Sequence, residues 1–176
     1  MNLLLIGYRG SGKSAVGRLL AERLSLAFFD ADEELERRAG RSIAQMFAEQ
    51  GEPYFRDLES QTLKDLAAQR GAVLSLGGGV VLRPENREVI RAAGTVVWLR
   101  ASAATLHRRI EEDAATAARR PNLTAAGGLA EIEQLLAART PLYEACADLP
   151  LDTDALSTAE VAEAILAKLP SLGFSA

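Results

Sequence analysis

The stretch LLLIGYRGSGKSAVGRLL, residues 3–20, places three glycines, a lysine and a serine between a short apolar run and an amphipathic run. Gly7, Gly12, Lys13 and Ser14 fit the pattern G-x-x-x-x-G-K-[ST], in which the loop lies between a strand and a helix. Glycine lets the backbone wrap with its N–H groups inward, and the helix that follows adds unpaired N–H groups and a positive dipole end. The stretch therefore predicts a loop that binds the phosphates of a nucleoside triphosphate.

Two side chains of this loop have specific expected tasks. Lys13 would reach the β- and γ-phosphates, and the Ser14 hydroxyl would ligate Mg²⁺. The alternative is a glycine turn with an incidental lysine. The apolar run before the loop and the helical pattern after it favour the phosphate-binding loop.

The composition is that of an ordinary globular protein, and its 176 residues predict a single domain. A net charge of −4 does not favour nucleic acid or an anionic membrane as a partner, so an anionic ligand needs a local cluster of positive groups. The single cysteine, Cys146, cannot form an intrachain disulfide. With no apolar run of membrane-spanning length and no signal-peptide pattern, we expect a cytoplasmic protein.

Short apolar runs alternate with helical patterns along the chain, which predicts βαβ units and a parallel sheet with helices on both faces. The expected strands are residues 2–6, 26–29, 72–76, 95–99 and 148–152. The expected helices are residues 13–24, 42–50, 53–69, 84–94, 102–113, 129–147, with an interruption at Pro141, and 157–169. Capping-box spacings mark two of the helix starts, Ser42 with Gln45 and Ser157 with Glu160.

Residues 113–128, DAATAARRPNLTAAGG, depart from this alternation because they lack a clear apolar face. Long irregular segments in compact domains often act as lids, so we interpret this segment as a lid. A frayed loop or a plain helix is the alternative. We expect the tail, about residues 170–176, to be poorly ordered.

Four further patches carry polar or glycine residues. Asp30 and Asp32 follow the second strand, at the sheet edge where ligands bind, and could present two carboxylates to one site. An acidic first helical turn explains them equally well. The glycines 77–79 end the third strand, where bare backbone can approach a ligand, or form a loose turn. Arg56 and Arg139 are candidate cations for the site. The alternative is that each is an ordinary arginine exposed on the surface.

Taken together, these patches resemble the shikimate kinase family. The phosphate loop, DAD (30–32), FRDLE (55–59), LSLGGGVV (74–81), RRPNL (119–123) and RTPLY (139–143) occur in that family's order. The resemblance runs from the first strand to about Thr153. It implies a three-layer α/β/α, P-loop kinase fold, similar to nucleoside monophosphate kinases, with a five-stranded parallel sheet and a lid. It also implies transfer of phosphate from ATP to the 3-hydroxyl of shikimate, on the route to chorismate and the aromatic amino acids.

The resemblance also implies a role for each matching residue. Asp32 would hold the shikimate hydroxyls and act as the base, while Arg56 and Arg139 would grip the carboxylate. Arg120 would neutralise the transferring phosphoryl group and contact ATP. The remaining positions implied are Gly77, Gly78 and Gly79 for the substrate, Gly10, Ser11, Gly12, Lys13, Ser14 and Ala15 for ATP, and Ser14 and Asp30, with Ser75, near Mg²⁺.

The chain departs from the family in one respect. Many members carry an arginine after the last strand that packs on the adenine, whereas this chain reads LDTDALSTAE (151–160). Arg119 or backbone groups would then contact the base. Two rival functions remain: another small-molecule P-loop kinase, such as a gluconate kinase, and a nucleotide-binding regulatory protein with a degenerate acceptor site. We expect a monomer that binds ATP and shikimate.

Overall fold

A computed structural model describes residues 1–112 and 127–174 of the chain. Within these ranges one parallel sheet forms the centre of the molecule. Its strands are β1 (Asn2–Ile6), β2 (Ala27–Asp30), β3 (Ala72–Ser75), β4 (Gly94–Arg100) and β5 (Leu149–Asp152). Their order across the sheet is β2-β3-β1-β4-β5, and each neighbouring pair is parallel. The predicted five-stranded parallel sheet is therefore confirmed.

Helices connect the strands and cover both faces of the sheet. They are α1 (Lys13–Leu24), α2 (Ala31–Ala39), α3 (Ile43–Ala67), α4 (Pro84–Ala93), α5 (Ala103–Glu112), α6 (Gly128–Glu144) and α7 (Thr158–Lys168). Two 3₁₀ turns span Val80–Leu82 and Leu169–Leu172. Both predicted capping boxes form, at Ser42 of α3 and Ser157 of α7.

The central strand β1 supplies apolar side chains to both faces, because successive side chains of a strand point in opposite directions. Leu4 and Ile6 lie in the core that contains residues of α3, α4 and α6. Leu3 and Leu5 lie in the core shared with α1 and α7. All four side chains are fully buried, which explains the continuous apolar run from Leu3 to Ile6.

Three elements differ from the prediction. Helix α2 was not among the expected helices; it begins directly after β2, so Asp30 and Asp32 do lie at an acidic helix start. Helix α3 joins the two helices expected there and bends at Gly51, whose φ is 79°. Helix α6 continues through Pro141, which costs one backbone hydrogen bond but does not end the helix.

The C-terminal tail was expected to be poorly ordered. In the structure it includes the 3₁₀ turn Leu169–Leu172, and the Phe174 N–H donates to the carbonyl of Leu169 at 3.2 Å. Phe174 is partly buried and packs on the core beside α1 and α7. The expected lid lies outside the described residues except for Gly127 and Gly128, where α6 begins.

Candidate active site

The predicted phosphate loop lies between β1 and α1, at the carboxyl edge of the sheet. Gly12 is the N-cap of α1 and has a φ of 90°, a conformation that favours glycine. The loop borders a cavity of about 560 Å³, which we call the phosphate cleft. Gly10, Ser11, Gly12, Lys13, Ser14 and Ala15 all line this cleft. The structure therefore brings together every residue that was expected to surround the phosphates in this loop.

Lys13 is buried and turned back over its own loop. Its Nζ donates to the carbonyl of Gly7 at 2.9 Å and to the carbonyl of Tyr8 at 2.8 Å. The Ser11 hydroxyl lies 3.4 Å away. The ammonium group thus links the helix start to the first residues of the loop, and the side chain lines the phosphate cleft.

Ser14, Asp30 and Ser75 form a small oxygen cluster in the phosphate cleft. The Ser14 hydroxyl donates to Asp30 Oδ2 at 2.5 Å, and it lies 3.3 Å from Ser75 Oγ. These are hard oxygen donors with a single carboxylate among them. Mg²⁺ is often held by one or two carboxylates together with phosphate oxygens and water, so this donor set fits Mg²⁺ beside a nucleotide.

The two carboxylates of DAD take different positions. Asp30 caps α2, because its Oδ1 accepts from the N–H groups of Asp32 at 3.0 Å and Glu33 at 3.3 Å. Its other oxygen faces Ser14 in the phosphate cleft. Asp32 lies two residues further on, in the first turn of α2, and lines both the phosphate cleft and a second cavity.

The second cavity, of about 70 Å³, contains both predicted arginines, and we call it the arginine pocket. Asp32, Arg56, Arg139 and the glycines 77–79 line it, with Ile43, Phe47 and Phe55 as apolar walls. Every acceptor-site residue expected from the sequence therefore lies in one cavity. The two cavities are neighbours, because Asp32 borders the phosphate cleft as well, as do Arg9 and Ile43.

Arg56 is buried and paired with two glutamates of α3. Its Nη1 donates to Glu59 Oε2 at 2.7 Å, while Nε and Nη2 donate to Glu52 Oε1 at 3.1 Å. The side chain of Glu52 is 57% exposed and can turn into solvent, whereas that of Glu59 is 6% exposed. A ligand carboxylate can therefore replace Glu52 on the guanidinium without unpairing Glu59.

The triple glycine lets charged groups come close to the chain. A Cβ on Gly79 would lie 2.6 Å from Arg56 Nη2, and a Cβ on Gly77 would lie 2.8 Å from Asp32 Oδ1. A side chain at position 79 would displace the Arg56 guanidinium, and one at position 77 would displace the Asp32 carboxylate. The triple glycine thus packs closely against charged side chains, which a loose turn would not require.

Arg139 and Tyr143 of α6 both reach the carbonyl of Gly78. Arg139 Nη1 donates to it at 3.3 Å and the Tyr143 hydroxyl at 2.5 Å. Burial raises the pKa of Tyr143 to about 12, so its hydroxyl remains a donor at neutral pH. Through these bonds the RTPLY stretch fixes the middle of the triple glycine.

Glu59 and Arg109 are among the residues of the site that were not singled out from the sequence. Glu59 ends the FRDLE stretch, three residues after Arg56, and burial raises the pKa of its carboxyl against the opposing effect of Arg56. Arg109 lines the phosphate cleft and donates to the Thr153 carbonyl at 2.7 Å, close to the segment that lacks the expected arginine. The i, i+3 spacing could have revealed Glu59, whereas nothing in the sequence joins Arg109 to Thr153.

Arg119 and Arg120 lie outside the described residues. The expected contacts of these two side chains with ATP and with the transferring phosphoryl group therefore remain predictions from the sequence. Among the described residues, no helix combines the length and the apolar character needed to cross a membrane.

Comparison with known proteins identifies relatives along almost the whole chain. Residues 9–170 match the family model described as Shikimate kinase. A Shikimate kinase of Cupriavidus pinatubonensis is 43% identical over 173 residues, covering 98% of this chain and 88% of the relative.

Two solved structures are also similar to this chain. A shikimate kinase from Acinetobacter baumannii in complex with shikimate superposes with a TM-score of 0.91 at 33% identity, covering 99% of this chain and 95% of that one. A shikimate kinase from Aquifex aeolicus superposes with a TM-score of 0.81 at 34% identity, covering both chains fully, at 100% each. The sequence matches and the structural matches thus point to the same family.

Proposed function

The chain belongs to the shikimate kinase family, and we propose that it transfers the terminal phosphoryl group of ATP to the 3-hydroxyl of shikimate, giving shikimate 3-phosphate and ADP. This reaction is a step of aromatic amino acid biosynthesis through chorismate. One observation carries the proposal: Asp32 lines both the phosphate cleft and a small pocket that holds two buried arginines. A triphosphate on one side and a small carboxylic acid on the other suit that arrangement.

The reaction needs the acceptor oxygen aligned with the γ-phosphorus and the developing charge neutralised. The hydroxyl oxygen forms the new bond to phosphorus, the bond between phosphorus and the β–γ bridging oxygen breaks, and ADP leaves. Asp32 orients the hydroxyl and takes its proton. Lys13 and the N–H groups of the loop supply a positive field for the phosphates.

The family implies ATP together with a divalent metal ion, and we propose Mg²⁺ held by Ser14 and Asp30, with Ser75 near its water shell. Bound there, Mg²⁺ would neutralise charge on the β- and γ-phosphates. Asp30 is suited to this task because its Oδ2 faces the cleft while its Oδ1 remains committed to the cap of α2.

Arg120 comes from the RRPNL stretch, and we assign it to the charge of the transferring phosphoryl group on sequence grounds. We also propose that Arg109 faces the adenine, because it lines the cleft and its guanidinium donates to the Thr153 hydroxyl. We further propose a cytoplasmic monomer that binds no nucleic acid.

The proposal is tested by measuring ADP release with purified protein, ATP, Mg²⁺ and a panel of acceptors. We expect release that depends on shikimate and is not sustained by gluconate or nucleoside monophosphates. Equal turnover with gluconate would favour the other small-molecule kinase. ATP binding without turnover of any acceptor would favour the regulatory protein.

Removal of either arginine of the proposed carboxylate clamp should weaken shikimate binding selectively. Arg56→Ala and Arg139→Ala each delete a charge-assisted contact, which corresponds to about 10- to 150-fold weaker binding. Titration calorimetry with shikimate and with ATP measures both affinities. Arg23→Ala, on the exposed end of α1, is the matched control. A clamp variant that loses ATP affinity and keeps shikimate affinity contradicts the role.

A further inference from the structure

Tyr8 and Arg9 occupy open positions of the phosphate-loop pattern, and both side chains contact α6. The Arg139 guanidinium lies over the Tyr8 ring, 5.5 Å from its centroid. Arg9 Nη2 donates to Glu131 Oε1 at 3.1 Å. The loop that surrounds the phosphates is thus joined to the helix that carries half of the carboxylate clamp.

Arg9 lies at the boundary of the two cavities. It lines both the phosphate cleft and the arginine pocket, a position that it shares with Asp32 and Ile43. Its backbone nitrogen is also close to the triple glycine, 3.2 Å from the position of a Cβ on Gly78. Of these shared residues, Arg9 alone is a cation, so it places positive charge where a phosphoryl group would cross from one cavity to the other.

Glu131 is fully buried, with 0% of its side chain exposed, in the first turn of α6. A buried carboxylate is costly unless it is paired and hydrogen-bonded. The bond to Arg9 and the location in the first turn of α6, near the positive end of the helix dipole, offset part of the cost of burying this carboxylate. The partner of Glu131 is itself only 11% exposed, so the pair restricts the guanidinium to one region.

We propose that Arg9 contacts the transferring phosphoryl group and that Glu131 is the positioning residue that holds its guanidinium at the boundary. The proposal rests on the proposed function, because it assigns a step of the same transfer. The competing explanation is that the pair merely ties the loop to α6 and stabilises the fold.

The test is a double-mutant cycle with Arg9→Met, Glu131→Gln and both changes together. Arg9→Met should lower kcat about 10- to 150-fold through loss of a charge-assisted contact, and should change KM for shikimate and ATP far less. Glu131→Gln should lower kcat by a smaller factor, since the charge remains but is no longer fixed. In the double variant, loss of Glu131 should cost no more than about twofold beyond Arg9→Met, because it acts through Arg9.

If Glu131→Gln fails to fold, Arg9→Lys and the double variant still test the proposal. Neither of them contains Arg9 without its partner Glu131. Arg23→Met and Glu163→Gln remove an exposed ion pair far from both cavities and should leave kcat unchanged. A lower melting temperature with wild-type kcat in Arg9→Met overturns the proposal, as does a full additive loss in the double variant. The wild-type rate with shikimate tests the proposed function separately in the same assay.

Discussion

Replacement of Asp32 by asparagine should lower kcat about 10²- to 10⁴-fold, the scale of a positioned general base. The asparagine keeps nearly the same shape but cannot accept the proton of the acceptor hydroxyl. Asp32 lines both the phosphate cleft and the arginine pocket, and a Cβ on Gly77 would lie 2.8 Å from its Oδ1. Shikimate binding should weaken as well, since the charged acceptor is lost.

Asp30→Asn is the matched control, because Asp30 belongs to the same helical turn and faces Ser14 instead of the arginine pocket. A higher Mg²⁺ concentration should restore part of the kcat that Asp30→Asn loses, whereas it should not restore the kcat that Asp32→Asn loses. A loose transition state needs modest base assistance, so orientation of the hydroxyl can account for much of the Asp32 effect. Measurement of kcat against Mg²⁺ concentration for both variants decides the assignment, and rescue of Asp32→Asn alone would mean that the two roles are reversed.

Lys13→Met should lower kcat/KM for ATP about 10²- to 10³-fold, the scale of removing one preorganised group from a site of developing charge. The ammonium group donates to the carbonyls of Gly7 and Tyr8, so its loss also removes the contacts that link the helix start to the first residues of the loop. Both effects act on the nucleotide. Binding of shikimate to the protein without nucleotide should change little.

Steady-state kinetics and shikimate titration of Lys13→Met measure the two expectations separately. Lys64→Met, on the exposed face of α3, removes the same charge far from the cleft and should behave as the wild type. If Lys13→Met keeps its kcat/KM for ATP and loses shikimate affinity, the assignment of the lysine to the nucleotide is contradicted.

Local signals made the phosphate loop and the central strand predictable. Gly12, Lys13 and Ser14 are consecutive, and β1 is apolar from Leu3 to Ile6 because both of its faces are buried. The same locality left Asp30 ambiguous. The same sequence pattern predicts a helix-capping carboxylate and a carboxylate at the edge of the sheet. Asp30 takes both positions, because its Oδ1 caps α2 and its Oδ2 accepts from Ser14 in the cleft.

Long-range pairs escaped prediction for a physical reason. Arg9 and Glu131 are 122 residues apart, and neither position has a pattern that announces a partner. The contact of Arg109 with Thr153 is similar, since it depends on how α5 packs beside the end of β5. Arg56 and Arg139 could be paired from the sequence only through the family resemblance, because nothing local distinguishes them from surface arginines.

The most direct measurement of the central claim is the identity of the product. Purified protein is incubated with ATP, Mg²⁺ and shikimate, and the phosphorylated product is examined by phosphorus and proton NMR. The account predicts a phosphate monoester coupled to the proton on carbon 3 of shikimate, with one ADP formed for each ester. A different esterified hydroxyl, or ADP formed with inorganic phosphate and no ester, would contradict it.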